Sequence, residues 1–427
     1  MTGSYPRLSI IIPTYNRAEP LRHTLATCVA QSYEFVEFII QDDASTDNTA
    51  EIVAEIAATD RRVRYVNSGT NAGMRRNFEQ ALKSATGDYV IILGGDDALI
   101  PESLVQLAAL ILQCPSDIIT WPTIGFHYAA ARAGKSQLIT PHSIFAKSTV
   151  VKLSSKEYFA RQAAQLFYAN DLKSPMLYVK SCAPMKLVRQ ATKSSGGAFF
   201  KSSTPDGYSS FALASLIDSY VYTNTPFTMH GVCGNSAGLN YVAGKGGNQD
   251  YSEKFFRENI EVPMAPQLAS APYSPLITLM TADFLFQTDN LFSHGFSKHI
   301  SIDTLIRKSM VELSDGLFST SKIKRELDIL HQIAKFHGKV DYFITALHKS
   351  RRNARKTLTG DAISPALLYL DGGSRGLENV YEAASFVKAH QNSRRIYAFL
   401  NPVEAIRNTV AYKKQSYQLG ESLADYF

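Results

Sequence analysis

The residues with the clearest chemical potential are two pairs of adjacent carboxylates. Asp96 and Asp97 follow Gly94-Gly95, directly after the apolar run Tyr89-Val90-Ile91-Ile92-Leu93. Glycines there let backbone and ligand approach closely. Neighbouring carboxylates at a strand end repel each other unless a cation or hydrogen-bond donors compensate. Hard ions such as Mg²⁺ take one or two carboxylates together with phosphate oxygens. Alone, Gly-Gly-Asp-Asp is equally an ordinary turn with an aspartate cap. The second pair, Asp42-Asp43, follows Phe38-Ile39-Ile40 and precedes Ser45-Thr46-Asp47, so by itself it also reads as a turn ahead of a helix cap.

The elements that must carry these pairs follow from periodicity. Leu8-Ser9-Ile10-Ile11-Ile12 is short and β-branched, a buried strand expected to end at Pro13. Leu21, Leu25, Cys28 and Val29 recur at helical spacing. Further strands are expected at 38–40, 63–66 and 89–93. Helices are expected after Ser45, around Phe78-Ala81-Leu82, and from Pro101 through Leu104, Leu107 and Ile111. Such alternation implies a mostly parallel sheet covered on both faces, and ligands on such sheets bind at the carboxyl ends of the strands. Thr14-Tyr15-Asn16-Arg17, Asp42-Asp43 and Asp96-Asp97 all fall there.

Taken together, Ile11-Ile12-Pro13-Thr14-Tyr15-Asn16-Arg17, Gln41-Asp42-Asp43-Ala44-Ser45-Thr46-Asp47, Asn71-Ala72-Gly73 and Ala85-Thr86-Gly87-Asp88-Tyr89 leading to Gly95-Asp96-Asp97 closely resemble the family 2 glycosyltransferases of the GT-A fold. The order and spacing match over about residues 7–115. The resemblance implies an α/β, Rossmann-like, mostly parallel sheet domain. It also implies inverting transfer of a sugar from a nucleotide-diphospho-sugar, UDP- or dTDP-linked, to a hydroxyl of a glycan or lipid-linked acceptor. It places Pro13, Thr14 and Tyr15 in the nucleoside pocket, Asp43 at the base edge and Arg17 and Arg76 beside the donor. Asp96 falls by the ribose or sugar, and Asp97 on a Mg²⁺ or Mn²⁺ that bridges the diphosphate. One departure is plain: many members carry Asp-x-Asp-Asp, and the first position here is Gly94. An inverting transfer needs a base for the acceptor hydroxyl, and the Pro205-Asp206 segment resembles the family's base segment. Asp206 equally suits the N-cap of the apolar helix that follows. Asp171 and Asp218 are weaker candidates, Asp218 falling within the helical pattern. His230 opens a glycine-rich stretch, six glycines in residues 231–247, and the resemblance makes it a further metal or phosphate ligand; a lone histidine is more often structural. The stretch suits a lid over the diphosphate, with Lys245 a phosphate contact, or a plain surface loop.

Composition bounds the rest. Of 427 residues, 44 are Lys or Arg and 38 Asp or Glu, a net charge of +6. Residues 281–427 hold 20 of the basic and 15 of the acidic residues, so the presumed catalytic part is nearly neutral and nucleic acid is disfavoured as a partner. Four separated cysteines, Cys28, Cys114, Cys182 and Cys233, with no CxxC pair fit a reducing, cytoplasmic compartment. No apolar run is long enough to span a bilayer. Lys349, Arg351, Arg352, Arg355 and Lys356 follow Phe343, Ile344 and Leu347. As a helix, 343–356 is amphipathic and basic, suited either to the inner face of a membrane or to solvent. The expected organisation is a GT-A domain over 1–228, a glycine- and proline-rich lid and linker over 229–280, and a helical C-terminal domain over 281–427 whose exposed helices leave a homo-oligomer open. The rival reading is a catalytically silent, glycosyltransferase-like binding or scaffold protein.

Overall fold

A computed structural model describes residues 5–131, 134–234, 262–314, 318, 320–354 and 367–391. The described chain divides into two compact units. One takes residues up to 155, 172–234 and 367–391; the other takes 156–171, 262–314, 318 and 320–354.

The first unit is built on an eight-stranded sheet. Its parallel half holds β1 (Leu8–Thr14), β2 (Val36–Asp42), β3 (Val63–Asn67) and β4 (Tyr89–Ile92), in the order β3-β2-β1-β4. Every residue of β1 and β4 is buried, which is why these strands read as mostly apolar runs. Helices α1 (Ala18–Val29), α2 (Thr49–Ala57) and α3 (Met74–Ser84) alternate with them. In α1, Leu21, Leu25 and Cys28 form the buried stripe. Pro13 lies inside β1, opposite Gln41 of β2, instead of ending the strand. Its missing N–H is tolerated because the pairing of β1 with β4 stops at Ile11.

Beyond β4 come β5 (Ala98–Leu99), α4 (Ser103–Gln113), β6 (Ile119–Thr120), β7 (Gly125–His127), β8 (Gln137–Pro141) and β9 (Val150–Ser154). Pro101 precedes α4 instead of opening it. After α5 (Ser155–Gln165) follow β10 (Ser181–Pro184), α6 (Met185–Ser194), α7 (Pro205–Ala214), β11 (Ser219–Thr223) and β12 (Thr228–Val232). The large sheet continues from β4 as β10-β6-β11-β9, with β10 antiparallel to both neighbours.

A second sheet has the order β13-β8-β7-β12-β5, and β13 is Leu367–Asp371. This corrects the expectation of a purely helical stretch over 281–427. The strand pairs antiparallel with β8, and a later helix (Val380–His390) packs on α1, β12 and β5. Leu368, Leu370, Val380, Ala383, Ala384 and Val387 share one core with Phe126, Leu138 and Met229. The alternating burial of Leu367-Leu368-Tyr369-Leu370-Asp371 is the period of a half-buried strand.

The second unit is helical, as expected: α8 (Ile277–Phe292), α9 (Ile302–Leu313), α10 (Thr320–Phe336) and α11 (Val340–Ala354), with the Val380–His390 helix of the first unit then α12. Ser301 caps α9, its hydroxyl accepting from the Thr304 N–H at 3.2 Å. The Glu312 carboxylate accepts the Ile277 and Thr278 N–H groups at the positive end of α8. Phe159 of α5 stacks on His294 and Phe296. Buried Asp283, in α8, accepts from the Ala265 N–H and the Gln287 amide, both at 2.7 Å. Burial pushes its carboxyl up to about 7 against those two bonds. No described helix is long and apolar enough to cross a membrane. Lys349 lies on α11, exposed; Arg355, Lys356 and Lys245 lie outside the described residues.

Candidate active site

The carboxyl ends of β1, β2 and β4 are shaped by short-range rules. Asp42 ends β2, and its carboxylate shapes the turn that follows. It accepts from the Ser45 N–H at 3.0 Å and from the Tyr65 hydroxyl at 2.6 Å. Asn16, at φ 49°, accepts from the Thr46 N–H at 2.8 Å, which joins the loop after β1 to the loop after β2. Asp43 clamps the third motif. Its two oxygens take the Ala72 and Gly73 N–H groups at 2.7 and 2.9 Å, while the Asn71 amide donates to its carbonyl. Tyr15 stands half-buried beside this cluster. Thr14 is buried, and its hydroxyl has no hydrogen-bond partner.

Asp96 and Asp97 are 1% and 0% exposed. Arg17 pairs with Asp96, and the Cys233 N–H reaches the other Asp96 oxygen at 3.3 Å. Asp97 accepts the Gly94 N–H and, at 2.8 Å, the Gly231 N–H. Burial pushes its carboxyl up to about 6; His230 opposes the rise and the Asp96 charge adds to it. Of the two adjacent buried carboxylates, Asp96 pairs with the guanidinium of Arg17, and Asp97 with the His230 imidazole nearby is a donor set that suits a hard divalent cation. Among the described residues no three His, Cys, Asp or Glu side chains form a ready-made cage.

The glycines of the motifs are where the backbone is crowded. A Cβ on Gly231 would lie 1.6 Å from the Asp96 carbonyl oxygen, and one on Gly94 would lie 2.5 Å from the Tyr178 hydroxyl and 3.0 Å from oxygens of both Asp96 and Asp97. The departure from Asp-x-Asp-Asp thus has a local reason: the space of a first aspartate is occupied by Tyr178.

Asp206 sits in the first turn of α7, whose N-cap is Thr204, so it does not serve as the cap. Its Oδ1 is buried without a hydrogen-bond partner. Burial raises its carboxyl, opposed by the Gly207 N–H and by His230. His230, on β12, therefore acts on both Asp97 and Asp206. Tyr178 lies in the field of Asp97, Asp96, Arg17 and Asp206, and packs edge-on against His230 with ring centroids 6.0 Å apart. Ion pairing and charge interactions thus link Arg17, Asp96, Asp97, Asp206 and His230 around Tyr178, and Pro13, Thr14, Tyr15 and Asp43 lie at the carboxyl ends of β1 and β2. Arg76 is exposed on the first turn of α3; its neighbour Arg75 turns to the Phe200 carbonyl at 3.4 Å. Asp218 is exposed in the turn after α7, and Asp171 pairs with Arg161.

Two residues were missed by the sequence reading. Buried Glu79 accepts the Phe199 and Phe200 N–H groups at 3.0 and 3.1 Å, fixing the chain that leads to Asp206. Its signal was a carboxylate among the apolar positions Phe78, Ala81 and Leu82. Tyr178 had no such signal. It is aimed by a tight turn in which the Lys180 N–H donates to the Tyr178 carbonyl at 2.8 Å across Val179, held at φ 62°. A β-branched residue at positive φ costs about 1–3 kcal/mol. The surroundings hold it there: the Trp121 indole N–H and the Thr228 hydroxyl donate to the Val179 carbonyl, and the Thr120 hydroxyl to that of Lys180.

Residues 9–168 match the model of the glycosyl transferase family 2. An uncharacterized glycosyltransferase of Haemophilus influenzae is 36% identical over 108 residues, 25% of this chain and 43% of its own length. The GalNAc(5)-diNAcBac-PP-undecaprenol beta-1,3-glucosyltransferase of Campylobacter jejuni is 33% identical over 103 residues, 24% of this chain and 33% of its own. The chain thus spans less than half the length of these curated relatives. The crystal structure of S. aureus TarS 1-349 in complex with UDP-GlcNAc superposes with a TM-score of 0.45 at 18% identity, covering 86% of this chain and 97% of that one.

Proposed function

We propose that this chain, whose residues 9–168 form a family 2 glycosyltransferase domain of the GT-A fold, moves a sugar with inversion from a nucleotide-diphospho-sugar to a hydroxyl of a glycan or lipid-linked acceptor. One observation carries the reading. Asp97, a buried carboxylate with the surroundings of a cation ligand, and Asp206, a carboxylate with a bare buried oxygen, both lie in the field of His230.

The division of labour follows from the environments. Pro13, Thr14 and Tyr15 would form the nucleoside pocket, with Asp43 accepting from the edge of the base. Arg17 and Asp96 would orient the ribose or sugar. Arg76, exposed on α3, would meet the donor's outer edge. Asp97 and His230 would hold a Mg²⁺ or Mn²⁺, which when bound supplies positive charge to the departing diphosphate. Asp206 takes the proton of the acceptor hydroxyl while the acceptor oxygen bonds to the anomeric carbon and the bond from that carbon to the diphosphate oxygen breaks. Nucleoside diphosphate leaves, and in-line attack inverts the centre. A carboxylate raised by burial is a stronger base than one in water, which suits this step. A UDP- or dTDP-linked donor is the first choice to test.

The test is nucleoside diphosphate release from a panel of nucleotide sugars, with Mn²⁺, by the wild-type chain and by Asp206→Asn. Loss of about 10²- to 10⁴-fold in turnover with nucleotide binding retained is the expected result. Undiminished turnover in Asp206→Asn removes the base assignment. Absence of both turnover and binding in the wild type removes the donor reading, and binding without turnover leaves a silent binding protein.

A further inference from the structure

We propose that Tyr178 is the floor of the donor-sugar pocket and that its hydroxyl contacts a hydroxyl of the sugar, a role resting on the donor reading above. Three independent features converge on it. The phenol occupies the space a side chain at position 94 would need, 2.5 Å from a Cβ there. Its ring packs edge-on against His230 and, at 6.0 Å between centroids, against Phe78. Its orientation is imposed by the strained turn at Val179, which Trp121, Thr228 and Thr120 hold from behind.

Position supplies the ligand's identity. A nucleotide sugar bound with its diphosphate at Asp97 and its anomeric carbon within reach of an acceptor at Asp206 must lay its sugar between those two carboxylates. Tyr178 lies in the field of both, and of Asp96 and Arg17. Its hydroxyl makes no hydrogen bond to a described residue, so a sugar hydroxyl can serve as acceptor or donor. A ring with a single polar atom at its tip discriminates among sugars by where a hydroxyl is presented, because a polar group left unpaired in a closed site is disfavoured. Strain concentrated at a ligand-facing residue is the pattern expected where orientation matters to function. The pair Gly94–Tyr178 is then a size exchange: a small residue on the strand end, with the contact supplied from the γ-turn.

Calorimetric titrations with Mn²⁺ test this, using UDP-glucose, UDP-N-acetylglucosamine, GDP-mannose and dTDP-glucose beside UDP, GDP and dTDP. Tyr178→Phe should weaken the best-bound nucleotide sugar about tenfold and change its parent nucleotide less than about twofold. Gly94→Ala should also weaken the nucleotide sugar, and by less when made in the Tyr178→Phe background, since the oxygen it collides with is gone. Equal weakening of nucleotide and nucleotide sugar, or no change in either, overturns the proposal. If the wild type binds none of these ligands, the donor reading itself has failed. If it binds a nucleotide sugar that Tyr178→Phe leaves untouched, only the Tyr178 assignment has. Unaltered melting of Tyr178→Phe without ligand separates a lost contact from a lost fold.

Discussion

Replacing Gly231 by alanine adds one methyl at the most crowded point of the cleft. The new Cβ would stand 1.6 Å from the Asp96 carbonyl oxygen and 2.5 Å from its carbon, both backbone atoms that no rotamer change can move. Restoring ordinary contact requires β12 and the Asp96 peptide to part by about 1.5 Å. The Gly231 N–H, now 2.8 Å from Asp97, then lies about 4 Å away, which is no longer a hydrogen bond. Overpacking costs about 1–3 kcal/mol, and losing a bond to a charged acceptor about 1.5–3 kcal/mol. The sum is about 4 kcal/mol, a melting point lower by roughly 8–16 °C for a domain of this size. Because Asp97 and His230 would move by more than 1 Å, donor turnover should fall about 10²-fold. Thermal denaturation followed by circular dichroism, with nucleoside diphosphate release as the second readout, measures both. Gly234→Ala is the control: its nearest neighbour would be the Ala130 carbonyl oxygen at 3.6 Å, so the melting point should hold within about 1 °C. A Gly231→Ala protein that melts and turns over like the wild type refutes the reasoning, since it would mean that β12 does not press on Asp96.

Glu79→Gln keeps the shape but removes the charge that holds the Phe199 and Phe200 N–H groups; a loss of about 1–3 kcal/mol in urea denaturation is expected, and unchanged stability would show the clamp to be idle. Asp283 is raised from 3.8 to about 7 by burial. The folded chain therefore holds a proton that the unfolded chain releases, and its contribution to stability falls as pH rises from about 4 to 7, by about 4 kcal/mol in all. Asp283→Asn should flatten that slope in melts taken across the range, and an unaltered slope would assign it to other groups. Leu370→Asp buries an unpaired charge in the core of the second sheet and should abolish soluble expression, whereas Tyr381→Asp, at a 43% exposed position, should change stability by less than about 0.5 kcal/mol.

The parallel half of the sheet was legible because the buried runs Ile10-Ile11-Ile12, Phe38-Ile39-Ile40 and Tyr89-Val90-Ile91-Ile92-Leu93 are apolar. The carboxylates were legible because each sits two to four residues past such a run. What lay beyond reading was contact between distant segments. Nothing near Tyr178 announces that it fills the space above Gly94, because the instruction is a backbone turn at Val179 enforced by Trp121 and Thr228. Gly231 looked like the start of a loose glycine-rich stretch, yet its lack of a Cβ is demanded by Asp96, more than a hundred residues earlier. The strand Leu367–Asp371 was hidden for another reason. Five residues of alternating burial are a weak signal beside the long helical periods around them.

That returning strand sets a timetable for the nascent chain. During synthesis at about 5–20 residues per second, β8 and β12 emerge well before β13 and α12, with more than a hundred residues of the helical unit translated in between. For about 7–27 s at that rate the edge of β8 and the apolar faces of Phe126, Leu138 and Met229 await their covering partners. An uncovered strand edge invites pairing with other chains. The first unit cannot close until β13 and α12 have been made, so slowing or stalling translation between residues 234 and 367 should trap chains that associate wrongly, and holdase chaperones should be found on that intermediate.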